Sequence, residues 1–181
     1  HRPSMVVGDS NTGKIIHFQI FYHLCEFLSG RRTLGFIPDT GDTRLDTIPS
    51  DYVAKVIAWS SKNLDTSGQI FHECSGPKDA ILISELKQQV QGLFKAKGVP
   101  LPRSFSIPVW LFKVILPVIG LVVTGKAKRA MKVLPIFLDY LSENQGFENN
   151  RTTKILNDKI ERPVVGGYLE QVLSSYLVNI E

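Results

Sequence analysis

Cysteine is scarce in this sequence: only Cys25 and Cys74 occur in 181 residues. That excludes a disulfide scaffold and points to a reducing, cytoplasmic setting. A dominant charge sign is lacking too. Lys and Arg total 21 against 17 Asp and Glu, a formal charge of +4. Nucleic-acid binding would need that small excess gathered on one face, so no nucleic-acid partner is expected. There is no Gly-x-Ser-x-Gly and no paired-carboxylate arrangement, which leaves hydrolase chemistry without support. Internal repeats, low-complexity tracts and signal or transit peptides are also missing. With 43% hydrophobic and 21% charged residues, the composition is globular, not disordered, collagenous or coiled-coil. The first residues are His1-Arg2-Pro3, with no initiator Met, and run directly into Met5-Val6-Val7. A strand entered in this way is expected for a piece of a longer protein; a tag remnant on a complete domain is the alternative.

What is present reads as alternating strands and helices. Pro3 to Val7 is a short buried strand ended by Gly8. Lys14 to Leu28 carries Ile15, Ile16, Ile20, Phe21 and Leu24 at helical spacing, closed by Ser29-Gly30. Arg31 to Asp42 is loop-like, with an apolar run from Leu34 to Ile37. Arg44 to Ile48 is a strand candidate, followed by a helix that Ser50 and Asp51 would cap. Gln69 to Cys74 is a further strand, and Ser84 opens a capped helix running to Lys97. About three strands in the first hundred residues suit a thin parallel sheet packed by helices. Beyond residue 100 the chain is helical, with Leu134 to Leu141, Thr152 to Leu156 and Val164 to Val178 as candidates.

Gly8-Asp9-Ser10-Asn11-Thr12-Gly13-Lys14 has the spacing of a phosphate-binding loop between a strand and a helix. Ile15 stands where the magnesium hydroxyl would be needed, and Asp9 puts negative charge into the anion nest. Both argue against nucleotide hydrolysis. Tyr52 and Lys55 are three residues apart, whereas a catalytic tyrosine-lysine pair sharing one helix face needs four. Tyr52 therefore reads as a solvent-facing helix residue. His17, His23 and Cys25, and the pair His72 and Cys74, do not assemble a metal ligand set by spacing. Asn150-Arg151-Thr152 matches a glycosylation sequon by chance.

Phe105 to Val123 is almost wholly apolar and about long enough for a membrane span. Lys113 near its middle, with Pro108 and Pro117, makes spanning costly. A core helix of a larger protein is one reading. A hydrophobic lid or interfacial element is the other, with Lys126, Lys128, Arg129 and Lys132 set against anionic headgroups.

Three ordered segments carry a resemblance. The first is His1-Arg2-Pro3-Ser4-Met5-Val6-Val7-Gly8-Asp9. The second runs from Arg44 to Asp51-Tyr52-Val53-Ala54. The third is Gly68 to Cys74-Ser75-Gly76, followed by a helix with Glu85-Leu86. Over residues 1 to about 100 these resemble the extended short-chain dehydrogenase/reductase superfamily, in its NAD-dependent epimerase/dehydratase-like form. Phe147-Glu148-Asn149-Asn150 and the final helix are similar to tails of the fatty acyl and thioester reductase branch.

The resemblance implies an α/β fold: the C-terminal part of a Rossmann-type reductase, with few parallel strands and a helix-rich C-terminal region. Residues 1–100 would hold the strands and part of the substrate pocket, and residues 101–181 a helical substrate-binding or lid region. The family's cofactor fingerprint and its catalytic Ser, Tyr and Lys have no counterpart in this sequence, so no catalytic residue is assigned. NADP or NAD is expected in the intact parent and neither on this chain alone.

By position in the family pattern, Pro3, Ser4 and Met5 would line the nicotinamide end. Gly8, Asp9, Phe18 and Tyr22 would face the substrate mouth. Arg44 would contact a polar or anionic substrate group, or else form an ion pair with Asp42 or Asp46. The implied function is the substrate-binding portion of an NAD(P)-dependent oxidoreductase acting on a lipid-like carbonyl or acyl thioester. A sugar-nucleotide epimerase or dehydratase portion and a non-catalytic membrane-surface or interaction module stay open. The implied partners are that small-molecule substrate and an N-terminal half. A membrane surface, reached as a peripheral protein, and a second copy pairing at an exposed sheet edge are further options.

Overall fold

The computed structural model describes residues 1–17, 20–122 and 146–178. The described strands are β1 (Arg2–Pro3), β2 (Met5–Val7), β3 (Phe36–Asp39), β4 (Arg44–Leu45), β5 (Thr47–Pro49), β6 (His72–Glu73), β7 (Ile81–Leu82) and β8 (Phe105–Pro108). The described helices are α1 (Ile20–Leu28), α2 (Ser50–Ser60), α3 (Ile83–Ala96), α4 (Val109–Val122), α5 (Asn150–Leu156) and α6 (Val165–Val178). The chain divides into two compact units. One comprises His1–His17, Leu45–Ile81 and Gly146–Glu181; the other comprises Phe18–Arg44 and Leu82–Gln145.

In the first unit the opening strand changes partner at Ser4. Arg2 and Pro3 pair in parallel with His72 and Glu73, and Met5 to Val7 pair in parallel with Thr47 to Pro49. The strand is therefore central, with β6 on one side and β5 on the other. Parallel neighbours need crossover connections, and α2 supplies the one between β5 and β6. Beneath the sheet, Ile48, Tyr52, Val53, Val56, Phe71 and Leu156 form a buried cluster. Tyr52 is 3% exposed, so it is a core residue and not the solvent-facing one its place in the first helical turn suggests. Its spacing to Val53 and Val56 puts all three on the sheet-facing side of α2. Neither expected serine or aspartate cap forms. Pro49 precedes α2 and Leu82 precedes α3 with no side-chain cap bond.

The second unit holds a strand that the sequence hides. Phe36 to Asp39 pairs in parallel with Phe105 to Pro108, Phe36 opposite Phe105 and Asp39 opposite Pro108. The turn leading into β3 requires Gly35, whose φ is +89° and whose absent Cβ would meet the Arg103 carbonyl. The apolar run from Phe105 splits into strand and helix at Pro108, because a residue preceding proline is held extended. On α4, Phe112 and Leu116 are one turn apart and bury against Phe27, with Phe36, Ile107 and Ile115 around them. Among the described residues no helix is long and apolar enough to cross a membrane. Phe18, the basic group 126–132 and the 134–141 segment lie outside the described residues.

Candidate functional site

In the first unit two loops follow parallel strand ends, where open α/β sheets place their ligands. The first, Gly8 to Lys14, leaves β2. Asp9 Oδ1 accepts hydrogen bonds from the Asn11 amide (3.0 Å), the Thr12 amide (2.8 Å) and the Thr12 hydroxyl (2.9 Å). The Thr12 amide, helped by the Thr12 hydroxyl and the Asn11 amide, holds the Asp9 carboxyl below its ordinary value. The chain's own carboxylate thus fills the nest that a phosphate would occupy, which disposes of the phosphate-loop reading on geometry. Gly13 has φ +66°, and a Cβ there would run into the Gln171 carbonyl and the Ser175 hydroxyl of α6. Only glycine lets this loop lie flat on that helix.

The loop is tied to α2 by Asp51, which accepts from the Ser10 amide (2.8 Å), the Ser10 hydroxyl (2.9 Å) and Lys55 Nζ (3.1 Å). Partial burial disfavours the Asp51 charge, but these donors outweigh it and the carboxyl titrates below the ordinary aspartate value of 3.8. A lowered native value means the unfolded chain binds more protons in the acid range. The stabilisation from Asp51 is therefore present above that value and lost as pH falls through the native one. Acid unfolding followed by circular dichroism should show a steeper loss of stability below about pH 4 for the parent sequence than for Asp51→Asn. Identical acid limbs would refute the coupling.

The second loop, Cys74-Ser75-Gly76, follows β6. Asp46, 7% exposed, accepts from the Ser75 amide and the Gly76 amide, both at 2.8 Å. Asn149 Nδ2 donates to the Cys74 carbonyl (2.8 Å) and the Ser75 carbonyl (3.2 Å). The Arg162 guanidinium donates to the Ser75 carbonyl and to Asp79. Tyr168 donates to the Thr47 carbonyl at 2.8 Å, beside the Thr47 hydroxyl. Asp46, Asn149 and Arg162, drawn from three stretches of chain, fix the loop by its backbone. Sequence reasoning missed Asp46, Asn149 and Arg162. The signal was available in part, since Asp46 follows Leu45 and Asn149 lies in the Phe147–Asn150 tail segment.

A cleft of about 660 Å³ opens on this unit, lined by Ser10, Asn11, Lys55, Trp59, Lys159 and Arg162 among others. Its cations already have partners. Lys55 pairs with Asp51, Arg162 with Asp79, and Lys159 lies 5.0 Å from the centre of the Trp59 ring. An anion entering it would compete with each.

Of the residues assigned to the nicotinamide end, Pro3 is exposed while Ser4 and Met5 are half-buried at the strand junction. The Ser4 hydroxyl is buried and, like those of Thr33 and Ser75, has no hydrogen-bond partner among the described residues. Gly8 and Asp9 stand in the first loop, as described. Tyr22 belongs to the second unit, 2% exposed, with its ring edge-on to Phe21 at 5.2 Å. Arg44, also in the second unit, is exposed at the start of β4. Burial pushes the Cys74 thiol up to about 12, so it stays protonated and unreactive. The sequon threonine is buried, its hydroxyl accepting from the His72 amide at 2.8 Å. Among the described residues no group of three His, Cys, Asp or Glu could hold a metal ion.

A central parallel strand flanked on both sides, with loops past its end, defines a Rossmann-type α/β fold. Residues 1–57 match the family model described as male sterility protein, whose matched segment contains β1, β2 and β5. The terminal R domain from the myxalamid PKS-NRPS biosynthetic pathway superposes with a TM-score of 0.67 at 20% identity, over 98% of this chain and 43% of that one. The reductase (R) domain of a nonribosomal peptide synthetase from Mycobacterium tuberculosis gives 0.58 at 15%, over 99% and 46%. A GDP-L-fucose synthetase from Naegleria fowleri, bound to NADP, gives 0.55 at 11%, over 98% and 44%. No curated protein matches by sequence. The chain spans less than half the length of each of these structures. The α/β Rossmann-type fold class is borne out, and the resemblance to the reductase superfamily finds a family match over residues 1–57.

Proposed function

We propose that this chain is the substrate-binding portion of an NAD(P)-dependent reductase acting on a lipid-like carbonyl or acyl thioester. The observation that carries the reading is the family match over residues 1–57, the stretch that holds the central strand, its β5 neighbour and the loop that leaves β2. The cofactor would supply hydride when bound; Pro3, Ser4 and Met5 would orient its nicotinamide end and help exclude water. Gly8 and Asp9, at the end of the central strand, would shape the substrate mouth. The male sterility family match and the two R-domain folds support a reductase over an epimerase.

The Gly-x-x-Gly-x-x-Gly fingerprint and the catalytic tyrosine and lysine are assigned to an N-terminal half that completes the enzyme. The expected result is NADPH or NADH oxidation by the parent protein with an acyl thioester, and none by the 181-residue chain alone. Turnover by the chain alone would contradict the division of labour. A parent that turns over a nucleotide sugar and ignores acyl thioesters would instead favour the epimerase reading.

A further inference from the structure

We propose that the outward face of α4 is a docking surface for an anionic lipid bilayer. Trp110, Val114 and Val118 are 68%, 64% and 61% exposed, and Phe105, just before the helix, is 54% exposed. The three helix positions are four residues apart, so they form one stripe. They lie on the side of α4 away from Phe112 and Leu116, which fill the core. A stripe of large apolar side chains held in water is unfavourable unless something covers it.

Charge identifies the cover. From Lys87 to Val122 the chain has five cations, Lys87, Lys95, Lys97, Arg103 and Lys113, and no carboxylate. Lys113 is on α4 next to the stripe, Arg103 is two residues before Phe105, and Lys87 Nζ donates to the Ser106 hydroxyl at 3.0 Å. With Arg103 and Lys113 beside it against one exposed carboxylate, Asp39 opposite Pro108, among the described residues, an apolar stripe in a cationic surround complements an anionic headgroup layer with acyl chains beneath it. A tryptophan is well suited to that boundary, apolar in its ring and polar at its N–H. The geometry is one of lying on the membrane. The described part of α4, fourteen residues, covers about 21 Å against the ~30 Å hydrocarbon core. Lys113 and Pro117 within α4 also suit an interfacial helix better than a spanning one.

The test is co-sedimentation of the chain with vesicles of phosphatidylcholine alone and of phosphatidylcholine with phosphatidylglycerol. Binding is expected to the mixed vesicles, to weaken as salt rises, and to fall about tenfold when Arg103 and Lys113 are both changed to Gln. Replacing Trp110, Val114 and Val118 together by Ser should abolish binding and leave the urea midpoint unchanged. In a Trp59→Phe background, Trp110 is the sole indole and its emission should shift to the blue with the mixed vesicles. No sedimentation with the mixed vesicles overturns the proposal, as does equal binding to both vesicle types. It also fails if the serine variant keeps its vesicle binding, or if its measured loss is of self-association in light scattering, which would assign the stripe to a second copy of the chain. None of these outcomes bears on the reductase reading, because the cofactor and substrate residues proposed there lie outside α4.

Discussion

Replacing Asp46 by alanine is expected to destabilise the unit that contains it by roughly 3 kcal/mol or more, among the largest effects of any single polar substitution in the chain. The carboxylate is 7% exposed and takes two backbone amides, from Ser75 and Gly76, each at 2.8 Å. Hydrogen bonds to a charged acceptor contribute more than neutral ones, and alanine would leave two buried amides without a partner. Asp46→Asn keeps one carbonyl oxygen and should lose about half as much, since its amide end meets a donor. Urea unfolding of the two variants checks both the size and the order. Equal losses would mean that the side chain acts by packing alone. The consequence reaches the site, because Asp46 holds the loop that follows β6 through its backbone. A mobile Cys74–Gly76 loop in the intact parent should raise the Michaelis constant for the substrate before it lowers turnover.

How far the sequence disclosed this arrangement depends on the range of the forces involved. The central strand and its neighbours at Thr47–Pro49 and His72–Glu73 were legible, because each is a short extended stretch bounded by local turn or helix-start signals. The switch of partners at Ser4 was not, since pairing is set by residues more than forty positions away. The same holds for β3. Pro38 in the Leu34 to Ile37 neighbourhood argues against a strand, and only the distant Phe105–Pro108 segment makes it one. The expected caps at Ser50, Asp51 and Ser84 rested on residue type. The structure instead uses Asp51 to bind the Ser10 loop, a contact 41 residues apart in sequence. Asp9 worked the other way. Its charge in the glycine-bounded loop already spoke against a phosphate, and the local bonds to Asn11 and Thr12 give the reason. The knot of Asp46, Asn149 and Arg162 joins three distant stretches, and no local pattern encodes it.

The apolar run from Phe105 shows most clearly what composition hides, and it leads to the second large effect. By composition Phe112 and Trp110 are equivalent members of one greasy segment. By position one is 0% exposed and the other 68%. Phe112→Ala should therefore cost about 3–5 kcal/mol, because it removes a fully buried ring from the cluster with Phe27 and Leu116. Trp110→Ala should change stability by less than about 0.5 kcal/mol, as for surface substitutions that leave no cavity. The two are measured as urea midpoints on the same chain, and similar losses would show that both faces of α4 are packed. That outcome would also remove the ground for a lipid-facing stripe. The contrast has a physical origin: a helix following Pro108 starts in a fixed phase, so the residues 112 and 116 must face the β3–β8 pair. With that face fixed inward, positions 110, 114 and 118 are left on the exposed side of α4.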